Sequence, residues 1–254
     1  PAMWDAGRAA ADRLAPLADG EPVEIEAQTS HAAADVIFRT LFSIPIEHEV
    51  AGQVFESFRA HQRTQPVVNL GALLPLPRWV PRFHRRGTRA TARQIRDLIT
   101  RLTSDRMAQI ADGTAPDDLA TKIMTTPDPQ TGERFDTGEM VDQVAIFFLA
   151  GHETSASALA WALYLLALYP EWQDSVADEA QTEIDPRRAY FSVVGRLRLA
   201  RDVFRETLRL YPPVPMMVRE AACPERFRDR AAAAFQAKGD AFRPVRHGCG
   251  LKQE

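Results

Sequence analysis

Lysine and cysteine are the scarce residues of this 254-residue chain. Only Lys122, Lys238 and Lys252 are lysines among 31 basic side chains; with abundant alanine, this reliance on arginine points to a GC-rich bacterial source. Two cysteines, Cys223 and Cys249, cannot build a disulfide framework, and a reducing cytoplasm is the expected compartment. Charge of one sign is missing too. A net charge of −3 with 45% hydrophobic residues excludes a nucleic-acid tail and a disordered chain. No signal-peptide h-region and no uninterrupted apolar run of membrane-spanning length is visible, although Pro1 opens in the middle of a helical pattern, as a fragment would. His31, His48, His61, His84, His152 and His247 show no H-x-x-H or similar spacing, so no metal site is expected from them. Strand-like patterning is absent before Met216 to Ala221, and a mainly helical protein follows.

What is present is organised around one stretch, Asp136 to Tyr169. Asp136 with Glu139 three residues on reads as a helix cap, and Pro170 as a stop, so one helix of about 50 Å is expected. It is apolar nearly all round at Val144 to Ala150 and at Ala158 to Leu168, which suits burial in a sizeable core. Between those halves lie Gly151, His152, Glu153, Thr154 and Ser155. The Thr154 hydroxyl can bond back to the Ala150 carbonyl and bend the helix. Gly151, without a Cβ, would let a flat ligand approach the backbone, and Glu153 could relay protons to it. A threonine kink with a paired glutamate and no ligand is the competing reading of these five residues.

Ala150-Gly151-His152-Glu153-Thr154, followed by Ser155, resembles the oxygen-binding motif [AG]-G-x-[DE]-T-[TS] in the central helix of cytochromes P450. Arg205-Glu206-Thr207-Leu208-Arg209, continuing to Tyr211-Pro212-Pro213-Val214-Pro215, resembles that family's E-x-x-R helix and the proline-rich turn after it. The resemblance covers residues 1 to 230, the middle of such a protein. It implies a mainly α, partial P450 fold around the long helix, with minor β, and a divergent tail over residues 231 to 254. It also implies haem-thiolate monooxygenation of an apolar organic substrate, using O2 and electrons from a ferredoxin or flavoprotein reductase. Thr154 and Glu153 are then the proton-delivering pair, and Ala150, Gly151 and Arg219 contact the haem, Arg219 at a propionate. Phe147, Phe148, Val214, Met216 and Met217 line the pocket. Glu206 and Arg209 form a structural core with Arg246 of Phe242-Arg243-Pro244-Val245-Arg246, which is similar to the family's F-x-P-x-R.

The chain departs from that pattern at one decisive place. The family's F-x-x-G-x-x-x-C-x-G loop, which gives the iron its thiolate, has no counterpart; Cys249 in His247-Gly248-Cys249-Gly250 lacks the phenylalanine and the spacing, and Cys223-Pro224-Glu225-Arg226-Phe227 reads as part of a strand pair. The chain as given is therefore expected to be inactive. A non-catalytic helical protein that binds an apolar small molecule is the alternative.

The rest of the chain supports a helical framework. Helices are expected over 1–18, from Thr29 or Ser30 to Leu41, over 48–63, 81–111, 117–125 and 171–183, and from Leu197 to Leu210. Arg82, Arg85, Arg86, Arg89, Arg93 and Arg96 recur at three- and four-residue steps and share a face, read as solvated. With the apolar Leu73, Leu74, Leu76, Trp79 and Val80 beside them, contact with a membrane surface or a large apolar substrate is the competing reading. Glu206 and Arg209 sit one turn apart among Val203, Phe204, Leu208 and Leu210, so the pair is expected to be partly buried.

Overall fold

The computed structural model describes residues 2–64, 86–127, 131–185, 191–214, 225–227 and 230–232. Along the chain these form α1 (Ala2–Leu14) with a 3-10 turn (Ala15–Leu17), α2 (Ile25–Phe42), α3 (Glu49–Thr64), α4 (Arg86–Ala111), α5 (Leu119–Thr125), α6 (Thr137–Leu168), α7 (Pro170–Glu183), α8 (Phe191–Val194), α9 (Arg198–Leu210) and a short antiparallel pair, β1 (Glu225–Phe227) and β2 (Arg230–Ala232). The fold is mainly helical. It divides into two compact units, residues 1–66 with 83–213, and residues 67–82 with 214–254. All the helices above belong to the first, and the hairpin to the second.

The 32 residues of α6 are the axis of the first unit. Its start is set by a complete capping box: the Glu139 amide donates to the Asp136 carboxylate at 2.8 Å, and the Asp136 amide to the Glu139 carboxylate at 2.9 Å, which satisfies two of the otherwise orphaned donors. At the other end Pro170 cannot continue the ladder and becomes the first residue of α7, the place where a missing N–H costs nothing. The most extensive helix interface is α2 against α6, with α4 alongside α3 and α6. Phe38, Leu41, Phe42, Val54, Phe58, Ile99, Met140, Val144 and Phe148 form the continuous core between them.

Two polar clusters are buried in this core. Asp35 is fully buried and accepts from Arg39 Nε through both oxygens at 2.9 Å and from the Ile46 amide at 2.9 Å. The Arg106 guanidinium donates to Asp118 at 2.6 Å, to the Thr121 hydroxyl at 2.9 Å and to the Phe42 carbonyl at 2.7 Å. It ties α4, α5 and the end of α2 together.

Two sequence expectations are corrected. The helix expected from Thr29 or Ser30 begins at Ile25 instead, because Thr29 is completely buried and its hydroxyl bonds the Glu26 carbonyl at 3.2 Å, so it serves the helix interior and not a cap. Nor is α6 buried all round. Ile146, Phe147, Leu149, Trp161, Tyr164 and Leu168 are exposed among the described residues, since α2 and α4 cover only one side of the helix. On α4, Arg89, Arg93 and Arg96 are solvent-facing, Arg96 pairing with Asp142 of α6 at 2.7 Å. Arg82, Arg85 and residues 73–80 lie outside the described residues.

Candidate functional site

The polar turn of α6 has an inner and an outer side, and the two are built differently. On the outer side Phe147, Ala150 and Thr154 follow each other at three- and four-residue steps, so they share one face. Phe147 is 44% exposed, and Ala150 is exposed beside it. The Thr154 hydroxyl donates to the Ala150 carbonyl at 2.6 Å, as the spacing predicts, yet helical structure runs through the turn without interruption. That bond alone does not mark a site, since Ser57, Thr103 and Thr207 back-bond in the same way. Glu153 is exposed to solvent.

The inner side is anchored to α2 and α3. A Cβ on Gly151 would come within 3.3 Å of Ile37 Cδ1. The bare position faces α2, where it permits close helix approach, and Ala150 is exposed on the outer side. His152, at 2% exposure, has its Nε2 2.8 Å from the Ser30 hydroxyl. Its ring stacks on Phe148 at 5.3 Å and meets the Phe55 ring edge-on at 5.6 Å. Phe148 is itself 2% exposed and packs on Phe38 and Phe58 at 5.2 and 4.4 Å. Phe147 and Phe148, which the resemblance makes pocket residues, differ in burial: Phe148 packs in the core and Phe147 is exposed.

Gly151→Ala tests this geometry. Alanine gains roughly 1 kcal/mol of helix propensity over glycine, and the atom it meets is the mobile end of an isoleucine. Stability is expected to stay within about 1 kcal/mol of the parent, whereas a bulkier Gly151→Leu should force α2 and α6 apart and cost on the order of 1–3 kcal/mol. Urea denaturation reads both.

Burial, opposed by the Glu153 charge and the Ser30 hydrogen bond and reinforced by Arg59 of α3, holds the His152 imidazole below its ordinary pKa near 6.5. His31, edge-on to Phe55 at 5.6 Å, is shifted the same way by burial and then by Arg13, against the pull of Glu47, Asp35 and Glu56. Both groups protonate less readily in the fold than in the unfolded chain. Stability is therefore full above about pH 6.5 and is lost as pH falls below it. We expect the melting temperature to drop between pH 7.5 and 5, and His152→Phe, which keeps the ring packing, to flatten part of that drop.

A cavity of about 510 Å³ opens beside the turn, lined by Ser30, Gln62, His152, Glu153, Ser157 and Trp161 among others. It joins the anchored inner side to the exposed Glu153. Further along α6, Trp161 stacks on Tyr211 at 4.0 Å with the planes 3° apart, which holds α9 on the same helix. The start of α9 is capped from α7: the Leu199 and Ala200 amides donate to the Glu179 carboxylate at 2.7 and 2.9 Å, and these bonds keep Glu179 below the usual carboxylate range. On α9, Arg209 donates to Glu206 through two nitrogens at 2.8 and 2.6 Å. That hydrogen-bonded contact lowers the Glu206 pKa and raises that of Arg209. The partial burial expected of the pair is not found, because Arg209 and Glu206 retain 66% and 55% of their side-chain exposure and Phe204, Leu208 and Leu210 around them are open as well. Val214 is 58% exposed. Met216, Met217, Arg219 and Arg246 lie outside the described residues.

The sequence singled out Glu153 and Thr154 but gave His152 no role. A histidine between two apolar helical stretches, on the side of Phe148 and Ala156, is the signal that could have found it. Neither a residue group able to hold a metal ion nor a helix long and apolar enough to cross a membrane occurs among the described residues.

Comparison with known proteins identifies the family. The cytochrome P450 family model matches residues 4–234. The chain is 33% identical over 192 residues to cyclooctat-9-en-7-ol 5-monooxygenase of Streptomyces melanosporofaciens, covering 74% of this chain and 40% of that protein. It is 28% identical over 206 residues to pentalenene oxygenase of Streptomyces avermitilis, covering 80% and 44%, and 28% identical over 207 residues to cytokinin hydroxylase of Arabidopsis thaliana, covering 80% and 40%. Among solved structures, the haem domain of cytochrome P450DA superposes with a TM-score of 0.64 at 21% identity, over 82% of this chain and 44% of that one; it is similar in fold. The chain thus spans less than half the length of these relatives.

Proposed function

Because the chain belongs to the cytochrome P450 family, we propose that it forms the central-helix side of a haem monooxygenase acting on an apolar organic substrate. The observation that carries this is the outer face of α6, where Phe147 and Ala150 are exposed next to a back-bonded Thr154. Exposed aromatic and small residues over one helical turn fit the face of a flat apolar macrocycle, while both cysteines of the chain, Cys223 and Cys249, lie outside the described residues. When bound, haem supplies activation of O2, with electrons from a ferredoxin or flavoprotein reductase.

The chain's own contribution is position and proton supply. Ala150 lets a planar group come close to the backbone, and Phe147 covers its apolar edge. The Thr154 hydroxyl, whose proton is committed to the Ala150 carbonyl, presents its lone pairs outward as a hydrogen-bond acceptor. Glu153 exchanges protons with solvent at the cavity mouth and passes them toward Thr154 through water. The ring-stacked junction of α6 and α9 carries the Glu206–Arg209 pair; the resemblance alone, and no observed contact, extends the proposal to Arg246 as a third member of that pair, Arg219 as a propionate ligand and Val214, Met216 and Met217 as pocket residues. With no F-x-x-G-x-x-x-C-x-G loop in its sequence, the 254-residue chain is not expected to turn over by itself, and catalysis is assigned to the whole protein, in the cytoplasm.

Titration of the purified chain with haem, followed by Trp quenching and by the absorption of the reduced, CO-treated sample, tests this. Uptake without the red-shifted band of a thiolate complex is the expected result. Appearance of that band would overturn the missing-ligand reading, and uptake undiminished by Phe147→Asp would overturn the assignment of the outer face and favour a non-catalytic apolar binder.

A further inference from the structure

The proposed outer face works only if α6 is held at one rotation about its own axis. Helical geometry makes this demanding: neighbouring residues are about 100° apart, so a rotation of a fraction of a turn would move Thr154 off the face of Phe147 and Ala150. Apolar contacts slide easily. What fixes an angle is a directional bond or a close steric fit, and on the inner side of this turn there is one of each, at consecutive residues. Gly151 admits Ile37 to 3.3 Å from where its Cβ would be. His152, buried among Phe55 and Phe148, reaches across to the Ser30 hydroxyl at 2.8 Å over 122 residues of sequence.

We propose that the Ser30–His152 contact is a latch that sets the rotation of α6, making His152 and Ser30 positioning residues for Ala150 and Thr154. The inference rests on reading the outer face of the turn as the functional one. Three features single this contact out from ordinary core packing. It is the cross-helix polar bond of the turn itself, whereas Thr154 bonds only within α6. It lies between a ring stacked at 19° and one met edge-on at 88°, so the imidazole has little freedom to follow a rotated helix. And it borders the cavity beside Glu153, so a shift of the latch changes the wall from which protons are supplied.

Ser30→Ala removes the hydroxyl with little threat to folding, since alanine is the better helix former, and Ser30→Thr restores it. In the chain without haem, amide hydrogen exchange is expected to rise at least tenfold at Ala150 to Ser155 in Ser30→Ala, with Ala158 to Ala162 unchanged, and to return to within threefold of the parent in Ser30→Thr. The Thr154 methyl resonance should move in Ser30→Ala while that of the buried Thr103 stays. A uniform rise along α6, no rise, or equal behaviour of the Ala and Thr variants would each overturn the latch. Haem uptake is scored separately: a localised exchange change with no haem binding by the parent chain refutes the functional reading and leaves the latch standing.

Discussion

Replacing Arg106 by methionine is expected to cost about 3–5 kcal/mol, a large part of the roughly 5–15 kcal/mol that holds a domain of this kind together. Arg106 and Asp118 keep only 5% and 4% of their side-chain exposure, so the pair is desolvated, and its strength lies in completeness. Asp118 accepts from Arg106 at 2.6 Å, from the Ser43 hydroxyl at 2.9 Å and from the Thr121 amide at 3.0 Å, the last of which caps α5. Arg106 in turn satisfies the Phe42 carbonyl at the end of α2. Truncating one member strands a buried charge. Removing both charges in Arg106→Met with Asp118→Asn, which keeps an acceptor for the cap, is expected to cost less than the sum of the single changes, because neither charge is then left unpaired. Urea midpoints of the four-member cycle check this; additive losses would mean that the two groups act independently, contrary to the geometry.

How much of this was legible beforehand depends on whether a feature is local in the chain. The start of α6 was legible because Asp136 and Glu139 carry the whole capping box within four residues, and its end because proline has no N–H. The Thr154 back-bond was legible for the same reason: donor and acceptor sit one turn apart. Arg106 and Asp118 are joined through a loop and also reach Ser43 and Phe42, distant positions that no periodicity links. Burial was the least legible property. The sequence around Glu206 and Arg209 is apolar enough to suggest a core helix, but whether such a helix is covered depends on which segments pack against it, and among the described residues that side of α9 is open. Thr29 misled in the opposite direction: as a type it favours caps, yet complete burial leaves its hydroxyl only the Glu26 carbonyl.

Adjacent phenylalanines on α6 provide the sharpest separation of core from outer face. Phe148→Ala removes a ring that touches Phe38, Phe58 and His152 at centroid distances of 5.2, 4.4 and 5.3 Å, and α2, α3 and α6 meet there. The loss combines transfer of the ring with the cavity left behind, about 3–5 kcal/mol. Phe148→Leu, which fills much of that space, should cost roughly 1–1.5 kcal/mol. Phe147→Ala, one residue earlier, takes away a side chain already 44% exposed and is expected to change stability by no more than about 0.5 kcal/mol, the range of ordinary surface changes. Haem uptake should invert that order, falling with Phe147→Ala and holding with Phe148→Leu. Chemical denaturation and haem titration on the same three variants measure both. Equal destabilisation by the two alanine changes would mean that α6 is rotated relative to the geometry above, and the division into an anchored inner side and a ligand-facing outer side would fall with it.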